Sequence, residues 1–122
     1  MNERKKKKIE ELLRRELSMI ILYELKDPRP GFITLTRVEL SEDQRSAKVR
    51  LTVRGTDDEV RTTLRALEHA RGYVQALVGR RLKLRYTPVL KFLEDAEVLQ
   101  AMRLEKLIDQ ARREDREFRE TT

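Results

Sequence analysis

Cysteine and tryptophan are absent from this 122-residue chain, and histidine occurs once. Without thiols there is no disulfide, no thiolate nucleophile and no cysteine-based metal site, which suits a reducing cytoplasm. Aromatic residues make up only 5%, so stacking on nucleobases can be at most a minor mode of recognition. No apolar run is long enough to cross a bilayer. The basic N-terminus leads into an amphipathic pattern rather than an apolar signal core, so neither secretion nor a membrane partner is expected. No Walker loop, dinucleotide fingerprint or spaced His/Asp/Glu metal set is present.

Catalytic groups are equally sparse. His69 lies late in a helical pattern, where a surface or half-buried imidazole is the ordinary outcome. Ser18, Ser41 and Ser46 lack a nucleophile-elbow context. The adjacent acids Asp57-Asp58 and Glu94-Asp95 suit the opening turns of helices, where negative charge favours the dipole. We therefore expect no enzymatic activity, no cofactor, no metal and no small-molecule substrate.

Charge is abundant: 41% of residues are charged and the net charge is +6. Residues 1–8 carry Arg4, Lys5, Lys6, Lys7 and Lys8 against Glu3, and residues 45–54 carry Arg45, Lys48, Arg50 and Arg54 with no acid. Residues 69–93 carry Arg71, Arg80, Arg81, Lys83, Arg85 and Lys91, again with no acid, whereas Glu94–Thr122 holds nine acids and six bases. Blocks of this kind suit phosphate contacts, because neutralising a polyanion releases condensed counterions.

The apolar positions are ordered into one domain. Ile9, Leu12, Leu13, Leu17, Ile20, Ile21 and Leu25 form a helical stripe, predicting a helix near 4–25 that stops at the Pro/Gly cluster of 28–31. Residues 32–41 read as a strand with imperfect alternation, so that strand is either buried on both faces or bulged. Residues 46–54 alternate cleanly, with Ala47, Val49, Leu51 and Val53 against Lys48, Arg50, Thr52 and Arg54. The short turn between the two strands predicts an antiparallel hairpin. Thr56 and Glu59 form a capping box. A helix over 57–70 then reaches Ala70-Arg71-Gly72, where the pattern resets to a second helix over 73–79, with Gly79 suited to a left-handed cap. Residues 88–94 predict a third strand opened by Pro88. A final helix begins near Val98, with a fraying, charged end. Val49, Leu51, Val53, Leu64, Leu67, Val74, Leu77, Leu17 and Ile20 are expected to share one core. The order predicts an α+β fold with a three-stranded sheet, helices packed on one face, and a C-terminal helical tail.

A helix–Gly–helix unit between basic segments suggests a KH-type RNA-binding domain, although the usual Gly-x-x-Gly loop is replaced by Ala70-Arg71-Gly72. The residues that sharpen this are Asp27-Pro28-Arg29, Thr34 to Ser41, Ala47-Lys48-Val49, Ala70-Arg71-Gly72, Leu84-Arg85, Pro88, Leu90, Phe92, Asp95, Leu104 and Leu107-Ile108. In that order and spacing the chain resembles the bacterial ribosome-binding factor A family over roughly residues 4–110. The resemblance implies a type II KH-like domain at 1–110, with 111–122 as a charged tail, and an Ala-x-Gly kink at 70–72. It implies a non-catalytic assembly factor that binds the immature small ribosomal subunit and its rRNA, supports rRNA maturation, notably of the 5′ region, and gains importance in the cold. A monomer is expected. The candidate RNA-binding residues are Lys5, Lys6, Lys7, Lys8, Arg71, Arg80, Arg81, Lys83 and Arg85, with the Lys48, Arg50 and Arg54 row second. A general single-strand RNA chaperone and a protein-interaction adaptor with a basic face are the alternatives.

Overall fold

The structure, a computed structural model, describes residues 2–25 and 33–121. The helix-stopping segment and the Asp27-Pro28-Arg29 motif lie outside the described residues, as does Phe32. Helix α1 spans Glu3–Met19 and opens on Asn2, whose side chain accepts a hydrogen bond from the Lys5 amide at 2.8 Å. It passes into a π-helical turn at Ile20–Glu24. The sequence pattern alone predicts ordinary helix there, because Ile20 and Ile21 keep the apolar stripe in either geometry.

Strands β1 (Ile33–Leu40) and β2 (Ser46–Val53) pair antiparallel, and β3 (Val89–Glu94) joins β2 in parallel, giving the order β1-β2-β3. The ladder of β1 shifts between Leu35 and Arg37, making Thr36 a bulge. Parity explains it. Side chains alternate along a strand, yet Val38 and Leu40, both buried, stand three and five positions after Leu35, odd offsets that regular alternation would place on the opposite face. One extra residue lets Leu35 sit opposite Leu51 and Val38 opposite Val49, all on the apolar face. The imperfect alternation in the sequence is the trace of this bulge.

Helix α2 spans Asp57–Arg81 without interruption. Its start is the expected capping box, with the Glu59 amide donating to Thr56 Oγ1 at 3.2 Å and the Thr56 amide to Glu59 Oε1 at 3.1 Å. The two separate helices expected over 57–70 and 73–79 are therefore one, and the break at Gly72 is absent. Leu67, Val74, Leu77 and Val78 continue a single buried stripe, while Tyr73, which suggests a reset in the sequence, is half exposed. Gly72 faces outward with open space where a Cβ would be. Gly79 is inside the helix and not its left-handed cap; the chain leaves α2 at Leu82 in extended geometry. A Cβ at Gly79 would lie 3.0 Å from Thr87 Oγ1, so glycine there lets the connector 82–88 pack closely.

Helices α1 and α2 cover one sheet face. The core joins Leu13, Leu17, Ile20 and Ile21 of α1 and the π-turn, Val38, Leu40, Ala47, Val49, Leu51, Leu90 and Phe92 of the sheet, and the α2 stripe. Of the expected core, Val53 and Leu64 are only partly buried. Helix side chains also satisfy strand amides outside the ladder: Leu40 N–H donates to Glu10 at 2.7 Å and Leu90 N–H to Gln75 at 2.8 Å. Paired in this way, those amides are withheld from edge-to-edge association.

Helix α3 (Ala96–Thr121) buries no residue and remains helical through the charged end. It is launched by Asp95, 2% exposed. The Asp95 carboxylate accepts from Thr36 Oγ1 at 2.6 Å and from the Val98 amide at 3.3 Å, and its own amide donates to Leu51 O at 2.8 Å. The hydrogen bond from Thr36, supported by the Val98 and Glu97 amides and by the charge of Arg37, outweighs burial and lowers the carboxyl pKa below 3.8. A depressed carboxylate pKa adds stability that is present above the unfolded value and lost as pH falls through the folded one.

Asp95→Asn keeps a capping side chain but removes the charge; it should cost about 1–3 kcal/mol at pH 7 by chemical denaturation. The difference from wild type should shrink as pH drops below 4; a difference independent of pH would contradict the assignment. Gly55, at φ +138, would place a Cβ 2.9 Å from Glu59 Cβ. Gly55→Ala should therefore destabilise by about 1–3 kcal/mol, whereas Gly72→Ala in an open helical position should stabilise by up to about 1 kcal/mol. Equal melting shifts for the two would refute the distinction.

Candidate nucleic-acid interface

The sequence nominates three groups of cations, and the structure sorts them by whether an acid already holds them. Lys5, Lys6, Lys7 and Lys8 lie in the first turns of α1, not on a mobile arm. Asn2 caps this turn, and Lys6 Nζ pairs with Glu42 at 2.9 Å, fixing the helix start against the β1–β2 turn. The hydrogen bond to Glu42 raises the Lys6 pKa. Lys5, Lys7 and Lys8 stay exposed.

Arg71 pairs with Glu68 one helical turn back at 2.7 Å. Arg81 reaches across to α1 and the π-turn, donating to Glu24 at 2.7 Å and Glu16 at 3.1 Å; these bonds, Glu24 first, raise its pKa. Arg81 thus clamps the end of α2 to α1. Arg80, Lys83 and Arg85 are exposed and have no carboxylate within 4 Å among the described residues.

The β2 row lies elsewhere. Val49 and Leu51 face the helices, so Lys48 and Arg50 project from the open face beside Arg37, Glu39 and Lys91. Arg50 is hydrogen-bonded to Glu39, whose carboxyl pKa it lowers. Arg37 stands 3.5 Å from each of Glu39, Asp95 and Glu97. Acids therefore neutralise much of the open face. Lys48 is exposed, and Arg54 is exposed just past the end of β2.

Two further residues stand out that sequence reading did not nominate. Arg45, in the β1–β2 turn, holds its guanidinium 5.2 Å from the centre of the Tyr86 ring, and Arg85 holds its own 5.4 Å from the same ring. The Val89 amide donates to Arg45 O at 2.8 Å, joining the turn to the start of β3. Arg45 is visible as a turn cation in the sequence, but its neighbourhood to Tyr86 follows only once β3 lies parallel to β2. Through Lys6–Glu42 and Arg45–Tyr86, the start of α1 and the connector after α2 meet the same turn. The N-terminal lysines and Arg85 are thus brought to one end of the sheet, whereas Arg80 and Arg81 end α2 where Arg81 reaches Glu16 and Glu24, ten and eighteen residues beyond Lys6. Ala70, Arg71 and Gly72 sit on α2 as ordinary helix.

The ribosome-binding factor A family profile matches residues 5–108. The chain is 41% identical to ribosome-binding factor A of Halothermothrix orenii over 120 residues, 98% of each chain. Its fold is similar to the crystal structure of ribosome-binding factor A from Thermus thermophilus, with TM-score 0.64 and 32% identity, covering 73% of this chain and 94% of that one. It is also similar, with TM-score 0.59 and 32% identity over 70% of this chain and 90% of that one, to the Thermus thermophilus RbfA homology model fitted into the cryo-EM map of a 30S–RbfA complex.

The clamp assignment for Arg81 separates it from its neighbour. Arg81→Gln should lower stability by up to about 1 kcal/mol, since both pairs are partly exposed, and leave the salt dependence of RNA binding unchanged. A flatter salt slope with no stability loss would make Arg81 a phosphate ligand instead.

Proposed function

Because the chain belongs to the ribosome-binding factor A family, with its type II KH-like α+β fold, we propose that it binds the immature small ribosomal subunit and supports maturation of its rRNA, including the 5′ region, without catalysis. The observation that carries the mechanism is a set of exposed cations with no carboxylate within 4 Å among the described residues: Lys5, Lys7 and Lys8 at the start of α1, and Arg80, Lys83 and Arg85 from the end of α2 into the connector. A cation already paired with a carboxylate must give up that partner to grip a phosphate; an unpaired one need not. We therefore rank this set above the open sheet face, where Lys48 and Arg54 remain a second contact and Arg50 is engaged. Arg71, Arg81 and Lys6 support the surface rather than touch RNA.

The body that binds is residues 1–110, with 111–122 outside it. One protomer suffices, acting in the cytoplasm where subunits are assembled. Binding works by differential affinity: these cations stabilise one rRNA conformation and release it when mature contacts compete. Such support counts for more in the cold, where mispaired RNA persists. The open surface beside Gly72 leaves room for a backbone to approach α2.

The test is co-sedimentation with free small subunits across a salt titration. Wild type should migrate with free subunits rather than with full ribosomes. Arg80→Gln/Lys83→Gln should bind more weakly, with a log–log salt slope lower by about 0.7 to 0.9 for each lost phosphate contact. Lys48→Gln/Arg54→Gln should have the smaller effect. The reverse ranking would move the interface to the sheet face, and equal affinity for unrelated RNA would turn the reading into general RNA chaperoning.

A further inference from the structure

We infer that Arg45, Tyr86 and Arg85 form a preorganised clamp for the phosphodiester backbone of rRNA, with Tyr86 as the support that aims two guanidiniums. The inference rests on the small-subunit reading above and names the ligand chemistry at one place within it.

Three observations converge. The first is composition of the cluster: two arginines from distant segments of the chain are held against one ring, at 5.2 and 5.4 Å from its centre. A cation over an aromatic face is held by the ring quadrupole, and its N–H edges remain open to an acceptor. The second is the lack of competition. Neither guanidinium has a carboxylate within 4 Å among the described residues, in contrast to the ion-paired Arg37, Arg50, Arg71 and Arg81.

The third is a rigid mount. Gln44 adopts φ 62 and closes the turn onto Ser41 O at 3.0 Å. The Arg45 amide then donates to Asp43 Oδ1 at 3.1 Å, and Arg45 O accepts from the Val89 amide at 2.8 Å. Pro88, two residues after Tyr86, is fully buried. Both sides of the Arg45 backbone are therefore pinned and the chain beyond Tyr86 is anchored. Fixing a guanidinium fork before binding reduces the rotamer entropy lost when it grips a phosphate. The two forks share one ring, so they are close enough to address neighbouring phosphates on one strand. The tyrosine π surface is already occupied by cations, which makes it a support and not a base-stacking platform.

The experiment measures binding of the full-length chain to purified small subunits over a salt titration, with thermal melts as a folding control. Arg45→Gln/Arg85→Gln should reduce the log–log slope by about 1.4 to 1.8, the value for two lost phosphate contacts. Tyr86→Leu leaves the charge unchanged, yet should weaken binding about two- to fivefold by releasing the cations. Tyr86→Phe keeps the ring and should bind as wild type. Arg112→Gln/Arg113→Gln, on α3, is the neutral control. Wild-type binding together with unchanged affinity and slope in both Arg45→Gln/Arg85→Gln and Tyr86→Leu would overturn the clamp and leave the small-subunit reading standing. Failure of wild type to bind would overturn that reading, and the clamp with it.

Discussion

The buried carboxylate of Asp95 ties the three strands together and starts the last helix. Thr36 is the bulged residue, and a bulge leaves the ladder locally incomplete. Its hydroxyl lies 3.1 Å from Arg50 O and donates to Asp95 at 2.6 Å, so β1 is fastened where its register changes. The Asp95 amide meanwhile bonds β2 at Leu51, and its carboxylate caps α3 at Val98. One side chain thus serves β1, the junction of β2 with β3, and the exit of the chain. Burying a carboxylate is costly unless its lone pairs are satisfied, and here the bonds that satisfy it also fix the strand parity on which the core depends.

That parity decides where charge can go. With Leu35, Val38 and Leu40 turned toward the helices, Arg37 and Glu39 must face the open side with Lys48 and Arg50. Opposite charges on neighbouring strands then pair across the sheet. At the other end, the turn of 41–46, the start of α1 and the connector after α2 converge with an excess of cations and few acids to pair them. Two basic surfaces of similar composition therefore differ in what they offer a polyanion. One is largely satisfied internally; on the other, Lys6 is held by Glu42, while Arg45, Lys83 and Arg85 have no carboxylate within 4 Å among the described residues. Helix α3, with seven acids and six bases over 96–121, adds no net attraction for RNA.

Much of this frame was legible in the chain. The alternation of 46–54 identified β2 and its apolar face, Thr56 and Glu59 marked the start of α2, and the flawed alternation around Leu35 to Val38 pointed to a bulge. The family was readable from the order of weak motifs, none of them specific alone. What the sequence hid depends on long-range geometry. Gly72 and Tyr73 suggested a helix break because a glycine and an aromatic are ambiguous until their faces are known; both face out of an unbroken helix. Gly79 resembled a cap, but its lack of a side chain serves contact with Thr87. Arg81 counted as one more cation in an acid-free stretch, and its partners Glu16 and Glu24 come from the other end of the chain. Arg45 and Tyr86 meet only because β3 returns parallel to β2.

The expectation at stake is that Lys5, Lys7, Lys8, Arg80, Lys83 and Arg85, which have no carboxylate within 4 Å among the described residues, face rRNA in the bound subunit. It is tested most directly by placing a photo-crosslinking amino acid singly at Arg80, Lys48 and Arg112, and mapping the products on small subunits. Dominant crosslinks to small-subunit rRNA from position 80, with fewer from 48 and none from 112, are what this arrangement predicts. Crosslinks to rRNA from 48 alone, or from 80 only to ribosomal proteins, would contradict it.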